Sequence, residues 1–515
     1  MLHRDMDGVT ASATNAQGVL SALRDLLSAV NWTEIRLRQD CRWSARGLAM
    51  AALIWAWASN TTLTDRFART LRITRRLGSR FAPDKASYQG FLELLVRWTD
   101  ELRHCLLVAF HERMEEAFPH EFRFSGFILI AADGSKILLP RTRSNQAGYA
   151  PAKTQRKKVK EKKAKEKKAK EKKAKGKKAK GKKAKDEKAK AKARQVKQVK
   201  QAKKAKSGSR PKSAKARQRQ SRAKKAESPQ MAVTALLHVG LRLPWDWRLG
   251  ASDVSEREHL RDMIAQLPLD ALLIADCGFV GYKLWCELLA SKRHFVIRVG
   301  GNVRLLKKLG VVRESQGLVY LWPNDAAKRN EPPLVLRLVE VHDGRQSWFL
   351  ITSVLDPQRL SDKEVAQIYS RRWRVEVFFR TFKQTFGRAK LRSHKAEHAR
   401  CEAEWSLLGL WGMLLYARIQ QKTPSQELQR LSPIRVLRAF GEAIGEPDAR
   451  PGPGESLPEK LNAALLDPYK RKDKRSRGYP RKKYETNAKP PIIVTATATQ
   501  RKLAKQMTST TTKKP

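Results

Sequence analysis

The chain has 515 residues, enough for two or three domains with cores of their own. It carries 107 Lys plus Arg against 50 Asp plus Glu, a formal net charge of +57 and a pI near 10.6. This balance argues against a small-metabolite enzyme and for a polyanionic partner, most simply nucleic acid. Residues 151–230 hold 37 basic and 6 acidic side chains, and residues 451–515 hold 16 and 5. The rest is basic but ordinary for a folded protein. The longest apolar stretch, residues 47–59, is 13 residues long, short of the ~20 needed to span a bilayer. The N-terminus, MLHRDMDGVTAS, has no apolar signal core. No membrane partner and a cytoplasmic, nucleoid-associated location are therefore expected. Cys41, Cys105, Cys277, Cys286 and Cys401 are widely scattered, without metal-ligand spacing or a disulfide framework.

Residues 19–118 read as helices, with apolar positions three and four apart in LSALRDLLSAV, ARGLAMAALIWAWA, YQGFLELLVRW and LRHCLLVAFHERM. Arg66, Arg69, Arg72, Arg75, Arg76 and Arg80 crowd one part of this region. They form either a solvated helix face or a set of phosphate contacts. At residue 127 the period changes: FILIAAD predicts a buried strand, Asp133-Gly134 a tight turn, and KILLP (136–140) a neighbouring strand. Residues 161–185 then repeat EKKAK and GKKAK in five-residue units. Such a segment has nothing apolar to bury and cannot offset ordering entropy, so 152–228 is expected to be a disordered insert that attracts DNA electrostatically.

Beyond the insert, MAVTALLHVG predicts a strand from 231, followed by a helix (255–266), a strand (271–278), a helix (281–290) and a strand (294–299). Strands alternating with helices argue for an α/β sheet. Residues 305–353 turn strand-rich (LVYLW, LVLRLVEVH, SWFLITSV), with a turn at Asp343-Gly344. One long helix over 361–386 and another near 404–420 follow, and the tail after 451, rich in Pro, Lys, Arg and Thr, is expected to be largely disordered.

Three carboxylates stand at informative places. Asp133 and Asp276 each end a strand before a glycine-containing turn, and Glu376 lies on the long helix. Carboxylates at strand ends can converge with a third from a packed helix. Three hard oxygen ligands suit one or two Mg²⁺ ions, or Mn²⁺. Such an ion pair, about 3.5–4 Å apart, activates a water or 3′-hydroxyl in phosphodiester displacement. On YSRRWRVEVFFRTFK, at about 100° per residue, Tyr369, Arg372, Glu376 and Lys383 share a ~60° arc. That face sets a carboxylate among two cations and a phenol.

The spacing Y-x2-R-x3-E-x6-K resembles the signature of the DDE transposases of bacterial insertion sequences, family-four type. Asp133 in AADGSK and Asp276 in IADCGFVG are similar to that family's first and second acidic blocks. The resemblance covers residues 20–445 apart from the insert. It implies an α/β fold with a ribonuclease-H-like catalytic core, a β-strand insertion between the second Asp and the Glu, and an N-terminal helical DNA-binding domain. It further implies that Asp133, Asp276 and Glu376 bind metal, while Tyr369, Arg372 and Lys383 hold phosphates. Trp348 in SWFLITS is similar in position to a Trp that stacks on a flipped base, and Arg380, on the same helix face, would add a phosphate contact. The implied partners are the DNA of element ends and target, handled by a homodimer on paired ends.

The expected organisation is thus a helical DNA-binding domain (1–120), the first parts of the core (121–151 and 229–300) around the insert (152–228), a β-rich insertion (301–355), the core's C-terminal helices (356–446) and a basic tail (447–515). The expected reaction is metal-dependent strand cleavage and strand transfer. The alternatives are a nuclease of the same fold without strand transfer and a nonenzymatic Lys-rich DNA-binding protein.

Overall fold

The computed structural model describes residues 13–38, 41–58, 62–77, 81–149, 228–313, 317–342, 347–421, 431–466 and 489–511. The described residues up to Tyr149 and from Gln230 onward form one compact unit. It holds the sheet and its helices. The Lys-rich insert, Arg80 and the Asp343-Gly344 turn lie outside the described residues.

Ten strands form one sheet in the order β10-β6-β7-β8-β9-β5-β4-β1-β2-β3. Its centre is built from β1 (Ile128–Leu138), β2 (Gln230–His238), β3 (Leu243–Ala251), β4 (Ala271–Ala275) and β5 (His294–Val299). β1, β2 and β3 pair antiparallel, whereas β1–β4 and β4–β5 are parallel. The order 3-2-1-4-5 with this mix of directions is the ribonuclease-H-like arrangement. Every residue of β4 and nearly every residue of β2 is buried, as continuous apolar runs require when helices cover both faces of a sheet.

The β-rich insertion extends the same sheet. β6 (Arg304–Lys307), β7 (Leu318–Leu321), β8 (Leu334–His342) and β9 (Ser347–Thr352) form an antiparallel series, and β9 docks against β5.

Four of the expected features come out differently. The turn at Asp133-Gly134 is absent, and β1 runs straight through it, paired residue for residue with β2 from Ile130 to Leu138. The single helix over 361–386 is three pieces: Asp362–Ser370, Trp373–Arg380 and a π turn over Thr381–Thr385. At the break, the amides of Arg371, Arg372, Arg374 and Val375 each bond three residues back, tightening the coil. At the far end, the Phe386 amide reaches back five residues to the Thr381 carbonyl (2.8 Å), loosening it again.

The tail is not all irregular. β10 (Ile492–Thr495) pairs parallel with β6, and the helix Ala498–Thr511 follows it. Leu306, Tyr320, Trp322, Ala496 and Ala504 form a small separate core there. β6 would otherwise be the sheet's edge, with a row of unpaired backbone groups.

Nor do the N-terminal helices stand apart. Helix Ala45–Trp57 is apolar all round, with every residue but Arg46 buried, so it needs neighbours on all sides. It packs with Leu63–Thr74, Tyr88–Ala117 and the 25-residue helix Ala396–Gln420 in one core continuous with the sheet. Gly409 permits the crossing, since a Cβ there would lie 2.9 Å from the Ala56 Cβ. Trp57 donates to the Gly409 carbonyl (2.7 Å), and the buried Arg388 donates to the Ala56 carbonyl (2.7 Å). No described helix is long and apolar enough to cross a membrane.

Candidate active site

The parallel register of β1 and β4 positions the two aspartates. Ile128 pairs with Ala271 and Ala131 with Ile274. Two residues beyond that last pair come Asp133, still within β1, and Asp276, just past the end of β4. The Asp133 carboxylate accepts the Gly134 amide (2.9 Å). Asp276 caps the 3₁₀ turn Cys277–Phe279 and accepts the Gly278 amide (2.7 Å).

Glu376 comes from the broken helix. Its helix, Trp373–Arg380, packs across β1 and β2 through Val375, Phe378 and Phe379. Its carboxylate accepts a hydrogen bond from Arg372 four residues earlier (2.5 Å), a half-buried ion pair. After the π turn, the chain is pinned to the end of β1: the Leu138 amide donates to the Ala389 carbonyl (3.0 Å), and the Leu391 amide to the Leu138 carbonyl (2.9 Å). Lys383 lies on the π turn just before that clamp.

The electrostatics tie these groups into one cluster. Burial pushes the Asp133 pKa up to about 6; the Gly134 amide and Arg372 pull it down, and the charges of Asp276 and Glu376 add to the rise. Burial lowers the Lys383 pKa, and Asp133 draws it back up. Burial raises the Tyr369 phenol to about 12, against the opposing pull of Arg372 and Arg298. Asp133, Asp276, Glu376, Tyr369, Arg372 and Lys383 therefore feel one another, although they come from β1, β4 and the broken helix.

Trp348 and Arg380 fare differently. The Trp348 ring lies 5.4 Å from that of Tyr369, centroid to centroid, at the border of the cluster. Its indole nitrogen is buried with no protein partner. Arg380 is exposed and makes no hydrogen bond or ion pair to the cluster. Of the N-terminal arginines, Arg66 is buried beneath the helix and Arg76 pairs with Asp448, while Arg72 remains exposed.

Two further residues belong to the neighbourhood. Arg298 on β5 sits with its guanidinium 5.9 Å from the centre of the Trp348 ring and acts on Tyr369. A lone charge inside HFVIRV was its signal in the sequence. Glu256, at the start of a short helix, reaches over Gly134. A Cβ on Gly134 would overlap its carboxyl, which explains the glycine without a turn. Partial burial of the Glu256 carboxyl and the Asp276 charge raise its pKa, and Lys136 lowers it.

The donor chemistry fits a divalent cation. The charges of Asp276 and Glu376 oppose the ionisation of Asp133, and a dication would relieve that repulsion. Among the described residues, no three acidic, His or Cys side chains already stand in ligand geometry. Glu376 is turned onto Arg372.

Residues 129–411 match the family model of the transposase DDE domain. The chain belongs to this family. Asp133, Asp276 and Glu376 all fall inside the matched span. Over 231 residues, 42% of this chain and 49% of the other, it is 29% identical to the transposase InsG of insertion sequence element IS4 from Escherichia coli strain K12. The chain thus spans about half the length of that curated relative. A cryo-EM structure of the piggyBac transposase synaptic complex with hairpin DNA aligns with 90% of this chain and 88% of its own, at 10% identity and a TM-score of 0.35, a likeness too slight to build on. DDE transposases as a class use divalent metals.

Proposed function

We propose that this member of the DDE family is the transposase of an insertion sequence, cutting DNA at the element's ends and joining the freed 3′-hydroxyl to target DNA. The observation that supports the reading is the parallel β1–β4 register, which runs both strands out toward Asp133 and Asp276, with the helix that holds Glu376 packed against β1 and β2.

Asp133, Asp276 and Glu376 would hold Mg²⁺, or Mn²⁺. When bound, such ions supply a polarised phosphate and an activated water or hydroxyl. Glu376 must first leave Arg372, and in doing so it frees that guanidinium. Arg372 and Lys383 then offer two cations to the phosphates flanking the scissile bond, and Tyr369 offers a phenol that stays protonated at any working pH. Trp348, bordered by Tyr369 and Arg298, presents an aromatic ring for an unstacked base. Arg380 would contact DNA further from the bond. A homodimer would bring two ends together, since both must be processed in one event.

Asp276→Asn tests this reading. It keeps the shape and the bond from Gly278 but removes a charged ligand. Strand cleavage of a DNA carrying the element's ends should be lost, with end binding nearly intact. Unchanged cleavage overturns the assignment. A joining assay separates the transposase from a nuclease of the same fold, which would cut without strand transfer.

A further inference from the structure

We propose that a cleft in the N-terminal helical layer is a second nucleic-acid site, one that takes an unpaired nucleotide of a DNA strand. The cleft lies beside the start of helix Tyr88–Ala117 and has a volume of about 380 Å³, within the ~300–1,000 Å³ typical of ligand sites. Among the described residues, four cations line it, Arg38, Arg42, Lys85 and Arg97, with one acid, Glu93. Glu93 is already engaged, accepting from the Gln89 side-chain Nε2 (2.8 Å).

Among the described residues, none of the four cations makes a side-chain hydrogen bond or ion pair. Other arginines of the same helix are spent on carboxylates: Arg103 on Asp246 and Glu404, Arg113 on Asp25. Like charges gathered in a concave space repel one another, and an anion relieves that cost. The cleft is also aromatic. Trp43, packed 5.9 Å from the Phe91 ring, and the half-buried Trp98 form part of its wall. The first turn of the helix, through Ser87 and Gly90, adds the positive end of a 30-residue dipole.

A bare phosphate would use the cations and leave the indoles idle. A duplex is too wide to enter. A nucleotide released from pairing satisfies both, with its phosphate on the cations and its base against an indole. The inference rests on reading the chain as a DNA-processing enzyme, but its test needs no cleavage.

The test measures binding of the full-length protein by fluorescence anisotropy, in chelator, across a range of salt. The probes are a blunt duplex and the same duplex with a five-nucleotide single-stranded extension. The double variant Arg42→Ala/Arg97→Ala should weaken the extended probe at least about tenfold more than the blunt one. It should lower the slope of log affinity against log salt by about 1.4, at ~0.7 per single-strand phosphate. Trp98→Ala should cost the extended probe about ten- to a hundredfold with little change in slope, and Trp98→Phe should restore it. Equal losses on both probes, or none on either, overturn the proposal. So does a free deoxynucleoside monophosphate that displaces the strand as well as an oligonucleotide does. Should Trp98→Ala fail to fold, the arginine pair, both exposed, decides alone. If Asp276→Asn left cleavage intact, the transposase reading would fall while the probe result stood.

Discussion

Acidification should loosen the hold of the three carboxylates on a divalent cation, with Asp133 setting the slope. A metal-binding carboxylate must be ionised, and Asp133 sits at a pKa of about 6 before any cation arrives, chiefly through burial. At pH 7 it is protonated about one-tenth of the time and at pH 5 about nine-tenths. The apparent dissociation constant for Mg²⁺ or Mn²⁺ should therefore rise about tenfold between pH 7 and pH 5, or ~1.4 kcal/mol. An Asp at its ordinary value near 3.9 would change it by only about a tenth over that range.

Calorimetric titration at pH 6 in two buffers of different ionisation enthalpy should find about half a proton released per binding event. Glu256→Gln should leave that release in place, and Arg372→Ala, which removes a cation that holds the Asp133 pKa down, should move the midpoint upward. Without metal the same raised pKa acts on folding. The folded-state value is the higher one, so the Asp133 contribution to stability is fully present below about 3.8 and is lost as pH climbs through about 6. A rise of that size corresponds to ~3 kcal/mol, which partial solvent access reduces to about 1.5. Asp133→Asn should abolish this decline. Metal affinity that is flat from pH 5 to pH 7, or a proton release that Glu256→Gln removes, would show that Asp133 does not control the site.

Gly134→Ala places a methyl group into the Glu256 carboxyl, an exposed side chain that can swing aside, and should destabilise the protein by no more than about 1 kcal/mol. The double variant with Glu256→Ala should recover most of the loss in denaturant melts; strict additivity would show that the contact does not matter. Truncation after residue 488 removes β10 and the last helix, and should expose Leu306, Tyr320 and Trp322. Limited proteolysis should then cut within 304–330 while β1–β5 stay protected. Arg388→Met strips donors from the Ala56 and Phe386 carbonyls and from Ser406, costing about 1–3 kcal/mol for each acceptor left unsatisfied. Loss of thermal stability without loss of the sheet's circular dichroism is the expected readout.

Part of the candidate cluster follows from local pattern. Tyr369, Arg372 and Glu376 are three and four residues apart, and that spacing holds them on one side even though the helix tightens at Arg371–Arg372. Lys383 lies on a π turn, where 100° per residue no longer applies. It feels the Asp133 charge, and the segment after it is tied to Leu138, which is far away in sequence. The strands around Asp133 and Asp276 were legible from apolar runs, but nothing in those runs said that Ala131 pairs with Ile274.

Glycine misled in one place. Asp-Gly reads locally as a turn, because turns are the commonest reason for it. Gly134 is instead a strand residue whose missing side chain makes room for Glu256. The tail misled in the same way: a segment rich in Lys, Pro and Thr forms a strand because β6 offers it an edge.

Apolar periodicity within a turn or two pointed to the α/β character, charge counts drew attention to a polyanionic partner, and the Y-x2-R-x3-E-x6-K spacing carried the resemblance that implies the acidic trio. Register, close approaches and the pKa of Asp133 were decided only in three dimensions. Those depend on which distant backbones lie side by side and how much water they exclude, and no local pattern encodes either.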